Sequence, residues 1–271
     1  MEQDIERGAA AVPQLHYYDM GPRVRAFSTT RRGGYSQGAW GEFNINRYCG
    51  DSEAAVSRNR AALCHLLGIC DDRLLMPHQT HQTRVAHISS RYLSCPTPLE
   101  GYDALTTDVS GVCIGVSTAD CIPLLLYDEE HHAACAVHAG WRGTLGRIAQ
   151  HAVEAMRQTY GSRPAGLRAQ VGPGISLESF EVGDEVYDAF CHEGFDMHAL
   201  SRRYPSADPT QPVKWHIDLP QCNRQQLLQA GLPAENIGAS PACTYQHPDT
   251  FFSARRLGIR SGRIFTAIML E

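Results

Sequence analysis

The chain has 271 residues, of which 43% are hydrophobic and 20% are charged, a balance typical of a globular protein and not of a disordered, collagen-like or coiled-coil chain. Its 24 basic against 29 acidic side chains give a formal net charge of -5, so the basic excess of a general nucleic-acid binder is missing. The longest apolar run, residues 122–127, is far shorter than the roughly 20 residues that a membrane helix needs. We therefore expect a cytoplasmic protein that acts on small molecules and binds neither nucleic acid nor membrane.

Strand-like and helix-like patterns alternate along the chain after residues 1–20, which we expect to be loosely ordered or to form an edge segment. In chain order, the patterns predict a strand at 22–29, a helix from Asp51-Ser52 to Gly68, strands at 84–88, 112–117, 122–127 and 133–138, a long helix at 143–160, a strand at 167–171, a helix at 184–191, a loop at 203–212, a strand at 213–217, a helix at 219–230 and a strand at 263–270. Neither an internal repeat nor an interdomain linker interrupts this order. The sequence thus predicts one mixed α/β domain over residues 1–271.

Polar side chains that can carry chemistry concentrate between residues 78 and 147, at the ends of apolar strands. Among them are His81, Cys121 and His138. One thiolate and two imidazoles could bind Zn²⁺ and leave the fourth tetrahedral position to water. Their separations of 40 and 17 residues do not by themselves bring them together. Each also has a structural alternative, since Cys121 can be a core thiol and His138 a hydrogen-bonded histidine at a strand end.

Several longer motifs carry a resemblance to a known family. They are Thr-Ala-Asp-Cys-Ile-Pro at 118–123, His-Ala-Gly-Trp-Arg-Gly at 138–143, Val-Gly-Pro-Gly-Ile at 171–175 and Phe-Phe-Ser-x-Arg-Arg at 251–256. In content and order they resemble the YfiH family, formerly labelled multicopper polyphenol oxidoreductase (laccase-like) and now assigned as purine nucleoside phosphorylase. The resemblance covers the chain from about residue 28 to its last strand. It implies layered mixed β-sheets with flanking helices.

The resemblance also implies an activity. The family's members are zinc-dependent enzymes that cleave purine nucleosides such as adenosine and inosine with phosphate, with methylthioadenosine as a further candidate substrate, and that deaminate adenosine. The family's zinc ligands fall on His81, Cys121 and His138. Two departures stand out: Gln82 follows His81 where the family has glycine, which leaves His78 as a competing ligand, and Tyr48 replaces a family histidine. We expect purine nucleosides and phosphate as partners of a monomer or homodimer.

The residues themselves suit this chemistry. Arg142 stands at a predicted helix start, where a guanidinium and backbone N–H groups favour phosphate; the alternative is a solvated arginine in a glycine-rich connection. Asp120, beside Cys121, is a candidate catalytic acid or a group that orients an imidazole, or simply a turn residue. The expected catalytic set is therefore Asp120, Cys121, His138 and Arg142. Nucleoside contacts are expected from Arg31, Asn44, Asn46, Arg142, Ser253 and Arg255, several of which could equally lie in solvated turns.

Other activities remain open on the sequence. A copper-dependent polyphenol oxidase is less expected than a zinc enzyme, because the chain contains no His-x-His pair. A cysteine hydrolase could use Cys121 as nucleophile and His138 as base if no metal lies between them. A non-enzymatic zinc scaffold and a peptidoglycan-precursor editing factor are further alternatives that the resemblance suggests.

Overall fold

A computed structural model describes residues 12–206, 210 and 212–271. The strands are β1 (Leu15–Tyr18), β2 (Val24–Thr29), β3 (Leu74–Leu75), β4 (Val85–Ile88), β5 (Ala104–Thr107), β6 (Cys113–Thr118), β7 (Ile122–Asp128), β8 (Ala133–Ala139), β9 (Arg168–Val171), β10 (Glu181–Val182), β11 (Ser201–Pro205), β12 (Val213–Ile217), β13 (Ile237–Ala239) and β14 (Ile264–Leu270). The α-helices are α1 (Glu53–Leu67), α2 (Ser90–Ser94), α3 (Trp141–Leu145), α4 (Ile148–Tyr160), α5 (Asp184–His192), α6 (Met197–Leu200), α7 (Leu219–Gln229) and α8 (Ala254–Leu257). Of the N-terminal segment 1–20, residues 1–11 lie outside the described residues.

The strands form three sheets. The largest has the order β13-β9-β7-β8-β5-β4, the second has the order β1-β2-β14-β6-β3, and a small third sheet has the order β10-β12-β11. Most neighbours are antiparallel, but β3 with β6, β4 with β5 and β9 with β13 run parallel. The sheets are therefore mixed, as the resemblance implied, and β1 is an edge strand.

The two larger sheets pack face to face, with helices on their outer faces. The side chains of β7 point alternately to its two faces, which shows this packing directly. Leu125 and Tyr127 pack with residues of the five-stranded sheet, including Ile114 and Ile268. Leu124 and Leu126 point to the opposite face, where they join the apolar sides of α4 and α7. Because both faces of β7 are covered, its whole run is buried. For this reason the sequence of β7 is a continuous apolar run and not an alternation of apolar and polar residues.

The predicted helix over 143–160 is wrong in one respect, since two helices occupy this region. α3 ends at Leu145, and α4 begins at Ile148. Arg147 between them has φ 62, in the left-handed region that interrupts a right-handed helix. The interruption lets α3 turn its first residues toward the end of β8 while α4 lies along the sheet.

The predicted loop over 203–212 is also partly wrong. Residues 203–205 belong to β11, which pairs with β12 in an antiparallel hairpin where Arg203 lies opposite Trp215. Three prolines favoured a loop, but Pro205 stands at the end of its strand, where its missing N–H disrupts little. Residues 207–209 and 211 lie outside the described part of the chain. Over the residues that are described, no helix is both long and apolar enough to cross a membrane.

Candidate functional site

Three side chains that can bind a metal ion meet at one end of the six-stranded sheet. His81 lies in the connection before β4, Cys121 lies between β6 and β7, and His138 lies near the end of β8. The pairing of β7 with β8 sets Pro123 opposite His138, so Cys121 lies at the same end of the sheet. The ligand atoms of the three side chains are all within 4.8 Å of one another, and Cys121 Sγ is 3.9 Å from His81 Nε2. The structure thus brings together the three residues that the sequence predicted as ligands.

Asp103 fixes the orientation of His138. Nδ1 of His138 donates a hydrogen bond of 2.7 Å to the Asp103 carboxylate, and both side chains are buried. Since an ionised carboxylate only accepts hydrogen bonds, Nδ1 of the imidazole carries a proton, and Nε2 is the nitrogen that faces Cys121. A carboxylate behind a histidine in this way makes the imidazole a stronger metal ligand. The orienting role that the sequence suggested for Asp120 therefore belongs to Asp103.

The same carboxylate also shapes the segment that carries His81. It accepts hydrogen bonds from the main-chain N–H groups of His81 at 3.0 Å and of Gln82 at 2.7 Å. His81 has φ 62, a left-handed conformation that a residue with a side chain adopts only when its surroundings enforce it. Gln79 anchors this segment to β6, because its side-chain amide makes two hydrogen bonds of 2.8 Å with the main chain of Ser117. One buried acid therefore sets the position of both histidines.

Asp120 shapes the turn that presents Cys121. Asp120 has φ 93, and its two carboxylate oxygens accept hydrogen bonds from the Thr244 hydroxyl and from the main-chain N–H of Arg255, each at 2.7 Å. Gly174 packs directly beneath this turn, where a Cβ would come within 2.3 Å of Ile122 Cδ1. The glycine allows the close approach of two backbones.

Charges within the cluster act on one another. Burial alone would raise the pKa of the Cys121 thiol, but the neighbouring His138 and His81 side chains lower that pKa to about 6. Burial alone would lower the pKa of His138, yet the Cys121 thiolate and the Asp103 carboxylate raise it to about 9. In the absence of a metal ion, a thiolate–imidazolium pair is therefore favoured at neutral pH. A thiolate is also the form of cysteine that binds a metal.

The space around the cluster suits a bound ion. Gly140 follows β8 and lies against two of the ligands, because a Cβ there would be 2.9 Å from His81 Cδ2 and 3.0 Å from Cys121 Sγ. Only glycine leaves this side of the cluster free. The donor set of two imidazole nitrogens and one thiolate is one that catalytic metal sites use. The residues present therefore fit a metal ion.

The cluster opens into a pocket of about 370 Å³. Tyr48 and His78 form its rim as a stacked pair, with ring centroids 4.0 Å apart, and His78 Nδ1 lies 2.6 Å from a Glu100 carboxylate oxygen. Because His78 is engaged by Glu100, it takes no part in the cluster. The pocket wall consists of Asn46, Tyr48, Cys49, Pro77, His78, Gln79, His81, Ser117, Thr118, Ala119, Cys121, His138, Ala254, Ile259 and Arg263.

Arginines predicted to contact substrate lie outside this wall. Arg142 is exposed, and its guanidinium lies over the Trp141 ring at 4.2 Å from the centroid. Arg31 donates to the carbonyl oxygens of Gly41 and Pro248, so it ties loops together. Arg255 donates to the carbonyl oxygen of Glu181. The structure does not bring these three guanidinium groups into the pocket.

The other predicted substrate residues divide in the same way. Asn46 lines the pocket and donates to the Ser117 hydroxyl at 2.6 Å. Asn44 is fully buried and accepts a hydrogen bond from the main-chain N–H of Arg263. Ser253 is also buried and caps α8 by accepting from the main-chain N–H of Arg256. Asn46 alone of this group faces the pocket.

Sequence reasoning missed two residues of the site. Asp103 immediately precedes β5, a strand that the sequence patterns did not predict, and no local spacing links it to His138. Arg263 immediately precedes β14, and the sequence predicts it only as the first residue of a strand over 263–270. In both cases the sequence signal is a polar residue next to an apolar run. Such residues are common, so this signal identifies a site residue only when the pairing of the strands is known.

Comparisons with known proteins show which proteins this chain resembles. The model of the family described as multi-copper polyphenol oxidoreductase laccase matches residues 25–271. A relative from Bacteroides thetaiotaomicron named purine nucleoside phosphorylase is 44% identical over 253 residues, 92% of each chain. A relative from an unknown prokaryotic organism named adenosine deaminase RL5 is also 44% identical, over 90% of this chain and 93% of its own. A crystal structure of the Bacillus licheniformis hypothetical protein YfiH superposes with a TM-score of 0.87 at 28% identity, covering 96% of this chain and 97% of the other. The relatives named above are enzymes, and the chain is accordingly an enzyme that belongs to the multi-copper polyphenol oxidoreductase laccase family, to which the resemblance with YfiH proteins pointed.

Proposed function

We propose that this enzyme is a zinc-dependent purine nucleoside phosphorylase that cleaves adenosine and inosine with phosphate and also deaminates adenosine. Methylthioadenosine is a further candidate substrate. The observation that carries the proposal is the cluster of His81, Cys121 and His138 in the wall of a pocket of about 370 Å³. That volume falls within the ~300–1,000 Å³ typical of small-molecule sites. The names of the relatives at 44% identity support nucleosides as the substrate class.

Zinc suits the cluster better than copper. Blue copper sites add a weak axial ligand, usually methionine or glutamine, to two histidines and one cysteine. The pocket wall as described contains no methionine, and the amide of its one glutamine, Gln79, is hydrogen-bonded to the main chain of Ser117. Multicopper chemistry needs further metal centres. Among the described residues, the three ligands are the one group of three or more metal-binding side chains of this kind. These observations support a single zinc site.

Zinc held by these ligands would supply Lewis acidity, which polarises a substrate atom or activates water. The chain's own residues then have distinct tasks. Asp103 keeps the proton of His138 on Nδ1, and Asp120 holds the turn that carries Cys121. Tyr48, stacked on His78, offers an exposed aromatic face at the rim against which a purine base can pack.

The two proposed reactions differ in what attacks the nucleoside. In phosphorolysis, a phosphate oxygen forms a bond to the sugar C1′ while the bond from C1′ to the purine nitrogen breaks. The purine keeps the bonding electron pair and gains a proton, and the sugar leaves as its 1-phosphate. In deamination, the oxygen of water forms a bond to C6 of adenosine, and the bond from C6 to the exocyclic amino nitrogen breaks. Ammonia leaves, and inosine remains. One reaction consumes phosphate and the other does not, so they can be measured separately.

A second candidate function has support from one observation. The pKa of Cys121 is lowered to about 6 by its histidine neighbours, which is the activation that a cysteine hydrolase needs. In that reading, Cys121 would attack the substrate and His138 would transfer the proton. The hydrolase requires a metal-free site in the active enzyme. Metal analysis of active protein therefore separates the two functions.

The experiment that tests the proposal is a screen of nucleosides with purified enzyme, with and without phosphate. We expect adenosine and inosine to release free base and sugar 1-phosphate only when phosphate is present, and adenosine to yield inosine without it. Removal of the metal with a chelator should abolish both reactions, and added Zn²⁺ should restore them. Phenol oxidation with copper, or full activity in metal-free protein, would contradict the proposal.

A further inference from the structure

The wall of the pocket carries one permanently charged side chain, that of Arg263. No carboxylate contributes to the wall among the residues that the structure describes. Arg263 stands directly before β14 and is half-buried. The ligand set also contains two neutral imidazoles and one thiolate, so a divalent ion bound there would carry a net positive charge. The pocket is therefore built to receive a negatively charged group.

Neutral groups hold the Arg263 guanidinium in place. Nη1 donates to the carbonyl oxygens of Ser261 at 2.7 Å and Gly262 at 2.9 Å, and Nη2 donates to that of Ile259 at 2.6 Å. The main-chain N–H of Arg263 donates to Asn44 Oδ1. These contacts orient the guanidinium, and all of them are to uncharged groups. A preoriented cation of this kind binds an anion without first having to be ordered.

The groups whose negative charge can act on Arg263 are Cys49, Cys121 and Asp120. Burial raises the pKa of the Cys49 thiol, so Cys49 is uncharged at neutral pH. Both carboxylate oxygens of Asp120 accept hydrogen bonds, from Thr244 and from the main chain of Arg255. Cys121 belongs to the metal cluster. Burial lowers the pKa of the Arg263 guanidinium, as expected for a charge that water and carboxylates do not fully compensate. A guanidinium in this position is matched best by a tetrahedral oxyanion, whose oxygens it can grip in pairs.

We propose that Arg263 binds inorganic phosphate in the pocket and holds it next to the metal cluster. This inference rests on the proposed phosphorolysis. Arg263 would hold two oxygens of the phosphate while a third forms the bond to C1′ and the purine leaves with its electron pair. The sequence predicted this contact for Arg142, whose guanidinium lies over the Trp141 ring outside the wall.

The test compares arginine variants in both reactions. Arg263→Met removes the charge, Arg263→Lys keeps it without the paired geometry, and Arg142→Met tests the sequence-based alternative. Arg260→Met is the matched control, because Arg260 lies in the same segment, is exposed and is not part of the wall. Loss of charge-assisted hydrogen bonds should raise the KM for phosphate roughly ten- to a hundredfold in Arg263→Met. Arg263→Lys should show a smaller rise, and Arg260→Met none. Deamination, which uses water, should lose much less than phosphorolysis in the Arg263 variants and should continue at about the wild-type rate in Arg260→Met.

Zinc content and Tm of each variant show whether the fold is intact, and Arg263→Lys carries the test if the methionine variant does not fold. An unchanged phosphate KM in folded Arg263→Met, or a rise in Arg142→Met alone, would overturn the inference. Equal losses in both reactions would assign Arg263 a structural role and also overturn it.

Two further measurements keep the inference separate from the proposed function. Phosphate should raise the Tm of wild-type enzyme and not that of Arg263→Met, whether or not nucleosides are cleaved. A wild-type enzyme that shows this shift but releases no base would contradict the phosphorylase and still support the anion site. Turnover of adenosine 5′-monophosphate without added phosphate, lost in Arg263→Met, would assign the site to a nucleotide's own phosphate and overturn the assignment to free phosphate.

Discussion

The Asp103 carboxylate lies 2.7 Å from Nδ1 of His138, and the two buried side chains form one unit behind the metal cluster. The same carboxylate accepts the main-chain N–H groups that hold His81 in its left-handed conformation. Neutralising this acid would therefore disturb two ligands at once. Its position explains why the cluster can be preformed although its ligands come from three separate segments.

We expect Asp103→Asn to weaken zinc binding by roughly ten- to a hundredfold, the usual effect of losing a carboxylate behind a ligating histidine. Competition with a chromophoric chelator measures this. Asp108→Asn is the matched control, since Asp108 is exposed and lies just beyond β5. Asp120→Asn should weaken binding less, because Asp120 contacts neither histidine. A larger effect at Asp120 than at Asp103 would restore the role that the sequence suggested for Asp120.

Gly140→Ala should expel the metal while leaving the fold intact. The added Cβ would lie 2.9 Å from His81 Cδ2 and 3.0 Å from Cys121 Sγ, closer than such contacts normally are. Elemental analysis of the purified variant should therefore show little zinc. Gly166→Ala is the control, because a Cβ at Gly166 meets nothing within 4 Å. Full zinc occupancy in Gly140→Ala would contradict the geometry of the cluster.

Alkylation of Cys121 should depend on the metal and on pH. In zinc-loaded enzyme the coordinated thiolate should react slowly. In metal-free enzyme, a pKa of about 6 means that the thiolate forms as the pH rises through 6, so the rate should climb between pH 5 and 7 and then level off. Cys49 gives an internal contrast, because burial raises its pKa. Mass spectrometry follows each peptide separately. Fast labelling of Cys121 in active enzyme free of metal would favour the cysteine hydrolase.

Tyr48→Ala should raise the KM for adenosine by roughly two- to tenfold, the effect of losing about 0.5–1.4 kcal/mol of aromatic stacking. Tyr48 is 58% exposed, so its removal should not affect folding or zinc content. Tyr17→Ala provides the control, since Tyr17 is 56% exposed on the edge strand β1, away from the pocket. Steady-state kinetics of both variants measure this effect. An unchanged KM for adenosine in Tyr48→Ala would show that the purine base does not stack on Tyr48.

Sequence reasoning found the long buried strands because their apolar runs are unbroken. β7 and β8 are covered on both faces, so neither shows the alternation of a half-exposed strand. β10 has two residues, which is too short for any periodicity. β5, with the sequence Ala-Leu-Thr-Thr, has no apolar run that would indicate a buried strand. The sequence predicts β12 but not β11, its partner in the hairpin, because proline signals a loop unless its place at a strand end is known.

The residues of the candidate site also differ in how far the sequence predicts them. The family resemblance named His81, Cys121 and His138 as candidate ligands, but whether these side chains meet depends on strand pairing. Asp103 reaches His138 because β5 pairs with β8, which sets Ala104 opposite Val137. That register is set by the pairing of the whole sheet and cannot be predicted from the local sequence. Arg142 was chosen because it stands at a helix start, and only the direction of its side chain, over Trp141, removes it from the pocket.

The metal content of the purified protein tests the central claim most directly. We expect one zinc per chain in the wild-type enzyme and a loss of most of it in His81→Ala, Cys121→Ala and His138→Ala. His78→Ala is the matched control, because His78 binds Glu100 and stacks on Tyr48 outside the cluster. Copper in place of zinc, or undiminished zinc in Cys121→Ala, would contradict the account.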